Sequence, residues 1–227
     1  MSAIFSELAV ERMTYSEGAL RLGVLYDLLG RFHHHDMRDA TVQQFMRRYQ
    51  VDIRQAERVQ RTALALFGQM VELDRPENEP DLRLLTWAAM LHETGLAINY
   101  TAIQRHSAYI LENSDLPGFN QEEQQCLATL VRFHRKAIKK AEFIPIPNYC
   151  DVQVWRCIRL LRLAVALHHR RLDHLLPELH LSASGDQCRL ILPTDWCQAN
   201  RLLLQNLERE QNYITALGWQ LEIIQQS

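Results

Sequence analysis

Apolar positions along this chain recur mainly at helical spacing, and the departures from that period sit at its two ends. From Asp36 onward the helical pattern is strong. It predicts a first helix over Arg38 to Tyr49 and a second capped by Asp52, whose Val59, Ala63, Leu66, Phe67 and Met70 form one apolar stripe. Pro76 and Pro80 break the chain after it, and a third helix over Leu82 to His92 stops near Gly95, as a glycine just past a helix end predicts. Two helices then flank a turn at Pro117-Gly118. Asn120 caps the second of them, with Glu123 three residues on as its capping-box partner, and Pro145 and Pro147 end the run. A helix over Val152 to Arg171 is apolar around most of its circumference, which predicts a central position.

Beyond Leu172 the period shortens. Glu178 to Ser182 and Cys188 to Leu192 alternate about Ser184-Gly185-Asp186 and read as a β-hairpin. Thr194 or Asp195 then caps a helix to about Leu217, and Trp219 to Ile224 alternates again as a third strand. The predicted fold class is mainly α: a helical domain over residues 33–172, then a small α+β module of hairpin, helix and strand over 173–227. Residues 1–32 mix helical and strand-like runs and have no evident core. They read either as an ordinary N-terminal helix or as the tail of a domain whose body is missing.

Charge changes this picture in one place. The 227 residues carry a net charge of only −2, so no global basic field points to nucleic acid. Between Arg132 and Arg171, however, ten lysines and arginines face two acids, Glu142 and Asp151. On a helix continued from Asn120, the residues Arg132, Arg135, Lys136, Lys139 and Lys140 would share one face beside His134. Such a stripe is either a site for a long polyanion or a solvated face. Arg156, Arg159 and Arg162 on the central helix must reach a surface, a cleft or a partner, since unpaired buried charge is costly.

Catalytic signals are weak. Five scattered cysteines without a C-x-x-C pair fit a reducing cytosol and argue against a zinc or disulfide framework. No glycine-rich phosphate loop and no nucleophile motif is present, and no apolar run is long enough to span a bilayer. Asp36 beside His33, His34 and His35 reads as a polar loop rather than a cation site.

Two resemblances follow. The order QAERVQRTALAL, LHETG, RHSAYIL, VRFHR, LLRLAVALHH resembles the HD-type metal-dependent phosphohydrolase domain over residues 36–172. The ligand positions have degenerated: Gln55 stands for the first His, Val165 for the last Asp, and Glu93 follows His92 where the family has His-Asp. Valine offers no donor and glutamine a poor one. His92, His106 and His134 keep an autonomous zinc-dependent phosphohydrolase as an alternative, but no metal is expected on this chain.

RHSAYILENSDLPGFNQEEQQCLATLVRFHRKAIK, with LHETGLAIN, SEGALRLGVLYDLLGRF and the C-terminal PTDWCQANRLLLQNLEREQNYITALGWQLEI, resembles the bacterial exopolyphosphatase and guanosine pentaphosphate phosphohydrolase family along essentially the whole chain. The resemblance implies the C-terminal half of such an enzyme, following two actin-like lobes that carry the phosphate loops, the catalytic glutamate and the Mg2+ requirement. Residues 1–32 would be the remnant of the second lobe, and the chain alone would be inactive, with no catalytic residue of its own. RHSAYIL and VRFHRKAIK favour exopolyphosphatase, with the guanosine pentaphosphate enzyme as the alternative. Expected partners are inorganic polyphosphate, the upstream lobes and a second copy in a homodimer. The expected location is the cytoplasm, with peripheral association to the inner membrane as a variant. Candidates for the polyphosphate track are Arg105, His106, Arg132, His134, Arg135, Lys136, Lys139 and Lys140, then Arg159 and Arg162.

Overall fold

A computed structural model describes residues 36–71, 75–173, 176–184, 187–215 and 219–226. The chain divides into two compact units, Met1–Met37 and Arg38–Ser227. The expectations for residues 1–32, for His33 to His35 and for the tip of the hairpin turn fall outside the described residues.

The second unit is mainly helical with a three-stranded sheet at its C-terminal end. Its helices are α1 (Met37–Arg48), α2 (Ile53–Met70), α3 (Glu79–Leu91), α4 (Ile103–Glu112), α5 (Gln121–Arg132), α6 (Asp151–Leu167), α7 (Thr194–Ala199) and α8 (Arg201–Thr215). The strands are β1 (His180–Ser184), β2 (Gln187–Pro193) and β3 (Gln220–Gln226).

Local chemistry explains most of these boundaries. Asp52 accepts a hydrogen bond from the Gln55 amide and starts α2. Pro80 does not break a helix but occupies its first turn, where a missing N–H costs nothing, so α3 begins three residues before the expected Leu82. Asn120 and Glu123 form the expected capping box of α5. The expected helix from Thr194 to Leu217 is instead two: Asn200 leaves helical geometry and its side chain donates to the Trp196 carbonyl, separating α7 from α8. The cap of α7 is Pro193, not Thr194 or Asp195.

Helix α6 is central, packing against α2, α3, α5 and α8. Its three arginines all find partners inside the fold. Arg156 pairs with Asp81 of α3 at 2.6 Å and covers the Phe67 ring of α2. Arg159 lies 3.8 Å above the ring of Trp219. Arg162, 1% exposed, donates to Glu210 of α8 and to the carbonyls of Phe133 and Lys136. These contacts fasten α3, α5 and α8 to one helix.

The sheet has the order β1-β2-β3, with β1 antiparallel and β3 parallel to β2. Cys188, Leu190 and Leu192 alternate inward from β2 toward Leu203, Leu207 and Ile214 of α8, while Arg189 and Glu222 pair on the other face at 3.0 Å. A parallel β2–β3 pair needs a crossover, and α7 and α8 provide it.

The turn after α3 is held against α4 by close approach. The Gly95 amide donates to Ser107 Oγ, which donates in turn to the His92 carbonyl. A Cβ at Gly95 would lie 2.5 Å from the Ile103 carbonyl oxygen and 2.5 Å from the Ser107 amide. Backbone atoms cannot step aside, so Gly95→Ala is expected to cost about 1–3 kcal/mol in urea unfolding. Removing Arg162 strands a buried carboxylate and two carbonyls. Arg162→Ala is therefore expected to lose about 3–5 kcal/mol, and the double variant R162M/E210L to recover most of it in the same assay.

Candidate functional site

Helix α5 ends at Arg132, eight residues short of Lys140. The single helical face bearing Arg132, Arg135, Lys136, Lys139 and Lys140 therefore does not exist. The cause is visible in the hydrogen bonding. Arg162 takes the Phe133 carbonyl at 2.6 Å and the Lys136 carbonyl at 2.8 Å, and the His134 ring takes the Val131 carbonyl at 2.6 Å. Those carbonyls are no longer free to continue a helix. Lys136 sits in the left-handed region at φ 66°, and the chain leaves as an irregular segment ending in a 3-10 turn at Lys140–Glu142.

The turn closes one wall of a cavity of about 190 Å3 between α2, α3, α5, α6 and α8. Four of the ten candidate track residues line it: His134, Arg135, Lys136 and Arg162. The other six do not. Arg105 is exposed and His106 half-buried on α4; Arg132 pairs with Glu142 at 3.1 Å; Arg159 lies on Trp219; Lys139 and Lys140 are exposed on the segment leading away. Two of the ten are closed to a polymer by burial, since His134 is 2% and Arg162 1% exposed.

The degenerate HD positions Gln55, His92, Glu93 and Val165 all line this same cavity, beside His134. Positions named on the resemblance to the HD-type domain thus lie around one cavity. Gln55 has a structural role: its amide donates to the His168 carbonyl at 3.0 Å and its oxygen accepts from Arg58 at 3.2 Å. Glu93 is bridged to Arg171 at 2.5 Å, and Arg171 also holds Asp52 at 2.9 Å. Arg171, Arg209, Tyr100, Asn206 and Tyr213 also line it, with Ala166, His169 and Glu210. Sequence reasoning missed these. Arg209 stands on a helix assigned to another module, and Arg171 owes its place to a left-handed backbone at φ 54° just past α6.

The imidazoles have a defined tautomer. His92 Nδ1 lies 2.7 Å from the Ala89 carbonyl, and a carbonyl only accepts, so Nδ1 carries the proton and Nε2 a lone pair. The same holds for His134 against Val131. Burial presses both rings toward the neutral form, reinforced for His134 by His92 beside it, the two rings standing edge to face at 5.2 Å. His92 Nε2 and Glu93 Oε2 have no hydrogen-bond partner.

This donor set does not suit a metal. A hard cation such as Mg2+ needs several oxygens, and the free oxygen here belongs to a carboxylate already bridged to arginine. Five lysine and arginine side chains line the cavity against two carboxylates, Glu93 and Glu210. Among the described residues no group of three His, Cys, Asp or Glu side chains converges closely enough to hold a metal ion.

Residues 37–211 match the family model described as Ppx/GppA phosphatase, domain III. This chain belongs to the Ppx/GppA phosphatase family. It is 37% identical over 219 residues to a guanosine-5'-triphosphate,3'-diphosphate pyrophosphatase of Pseudoalteromonas translucida, covering 96% of this chain and 44% of that protein. Proteins of the same name from Aeromonas hydrophila and Vibrio atlanticus are 35% and 37% identical, over 98% and 97% of this chain and 45% and 44% of theirs. The chain therefore spans less than half the length of these relatives. No helix among the described residues is long and apolar enough to cross a membrane.

The buried imidazoles set a pH dependence. A histidine whose folded pKa is lowered binds its proton more readily when unfolded, so its contribution to stability is complete above about 6.5 and declines as pH falls below that value. His92, His134 and His168 all act in this sense, His168 being pushed down to about 4 mainly by burial and then by Arg58. Unfolding free energy is expected to drop as pH falls from 7.5 to 5. The ring resonances of His92 and His134 are expected to titrate at lower pH than an ordinary imidazole. A midpoint near 6.5 for either ring would contradict the assignment.

Proposed function

We propose that this chain is the C-terminal region of a phosphoanhydride hydrolase whose catalytic lobes lie upstream, and that it holds the substrate's polyanionic chain. The observation that carries this reading is the segment from Arg135 to Lys140. There Lys136, Lys139 and Lys140 are exposed and form no salt bridge among the described residues, while Arg135 lies over the Tyr100 ring at 5.6 Å and near Glu210. Cations spread along an irregular surface segment, rather than gathered at a point, suit a linear polymer of phosphate better than a compact ligand. Each exposed contact contributes little, roughly 0.2–1 kcal/mol, so affinity must come from several in series and from counterion release. Arg105 on α4 remains a candidate for the same track, whereas His134 and Arg162 act from the interior by shaping the segment.

Inorganic polyphosphate is the substrate this reading favours, with orthophosphate released from the chain end. A second reading, hydrolysis of guanosine pentaphosphate, is supported by the names of the relatives. A homodimer, Mg2+ held by the upstream lobes and a cytoplasmic location complete the proposal as features implied by family resemblance.

Replacing Arg135, Lys136, Lys139 and Lys140 together by glutamate is expected to abolish binding of long polyphosphate, measured by filter retention across a salt series. The parent chain should show a steep salt dependence in the same assay. Unchanged affinity in the quadruple variant removes the track. Comparing turnover of long polyphosphate with that of guanosine pentaphosphate, in the protein carrying its upstream lobes, decides between the two substrates.

A further inference from the structure

The residues from Phe133 to Lys140 carry the pattern of a helix and do not form one. Their sequence, FHRKAIKK, holds no glycine, proline, asparagine, aspartate or serine, and its lysines, arginine and alanine are among the better helix formers. At helical spacing, the core stripe of α5 through Leu127 and Val131 would run on through His134 and Ile138. Arg132, Arg135, Lys136, Lys139 and Lys140 would then lie together on the opposite side. Yet α5 stops at Arg132, and Lys136 takes a left-handed backbone at φ 66°, which costs free energy in any residue with a β-carbon.

A tertiary contact overrides the local preference. In a continued helix the amides of Ala137, Ile138, Lys139 and Lys140 would bond the carbonyls of Phe133, His134, Arg135 and Lys136 in turn. Arg162 holds the first and last of those carbonyls, at 2.6 and 2.8 Å, and is itself held by Glu210 at 2.7 Å. In the turn, none of the four amides makes a backbone hydrogen bond among the described residues. The chain is long enough for the alternative. A helix over 133–140 advances about 12 Å, and the segment left before α6, 141–150, reaches up to about 33 Å.

We infer that residues 133–140 form a two-state element, turn or helix, and that Arg162 is the positioning residue that selects the turn. The turn places Arg135 and Lys136 on the cavity wall with Arg209, and leaves Lys139 and Lys140 exposed on the segment that follows. The helix would carry Arg135 and Lys136 away from that wall, onto one solvated face with the other three cations. Arg162 is 1% exposed and acts through the carbonyls it holds rather than on a ligand. The consequence for binding rests on the function proposed above: affinity for a polyanion follows the fraction of the chain in the turn.

Amide hydrogen exchange followed by NMR on this chain, together with filter retention of long polyphosphate, tests the element. R162M/E210L removes one charge of each sign and leaves the net charge unchanged. In that variant the amides of Ala137 to Lys140 are expected to gain at least about tenfold protection, and polyphosphate to bind about tenfold more weakly. Lys136→Gly and Lys136→Ala remove the same charge but bias the element in opposite directions, since glycine tolerates the left-handed turn and alanine favours the helix. With Arg162 in place, K136A should protect those amides more than K136G and bind polyphosphate at least about threefold more weakly. This pair leaves the interior untouched, so it decides the question even where the double variant fails to fold. Amides equally unprotected in K136A and K136G, or left unprotected in a folded R162M/E210L, overturn the two-state element. Protected amides with unchanged polyphosphate affinity overturn the positioning role. A parent chain that retains no polyphosphate removes the track instead, and the exchange comparison still decides between turn and helix.

Discussion

One buried arginine determines the shape of the functional region. Arg162 leaves the central helix with no exposed surface of its own and distributes its donors among the Glu210 carboxylate and the carbonyls of Phe133 and Lys136. Burial outweighs attraction on both sides of the pair: Glu210's carboxyl is held above its usual range and Arg162's guanidinium below its own. By itself such a pair adds little to stability against an apolar alternative. Its effect is geometric. By taking two carbonyls of the chain leaving α5, it ends that helix, sets Lys136 left-handed and points Arg135 and Lys136 into the cavity. By taking Glu210, it draws α8 across the opening, which brings Arg209 to the rim.

The consequence for function is a separation of charge into two arrangements. Arg135 and Lys136 turn toward the cavity, whereas Lys139 and Lys140 stay on the exposed segment that follows. A straight helix would have delivered all of them to one solvated face, where screening would have diluted each alike. The turn keeps part of the charge in a concave, partly desolvated setting, where the same cation interacts more strongly with an anion.

The helices were legible in the sequence wherever the determinant was local. The stripe of α2, the Asp52 cap and the Asn120–Glu123 box depend on residues within a turn of one another, and each is found as read. The errors arose where a distant group decided the outcome. Nothing between Arg132 and Lys140 announces a helix end, since the group that ends the helix is Arg162, on another element. The break at Asn200 is local, but asparagine is tolerated inside helices often enough that its side-chain bond to Trp196 could not be foreseen. The cavity was half visible. Gln55, His92, Glu93, His134 and Val165 follow from motif order, whereas Arg171 and Arg209 depend on a left-handed residue and on the crossing of α8.

The histidines of the cavity show how a local bond fixes an orientation. His92 and His134 each donate Nδ1–H to a carbonyl three residues back, at 2.7 and 2.6 Å. Because each bond is made at the end of the ring's own helix, it does not depend on what else lines the cavity. The charge of the lining is set from elsewhere: Arg135 and Lys136 come from the turn that Arg162 forms, and Arg209 from α8. Two fixed neutral rings within a mainly cationic lining make the cavity a poor place for a metal ion.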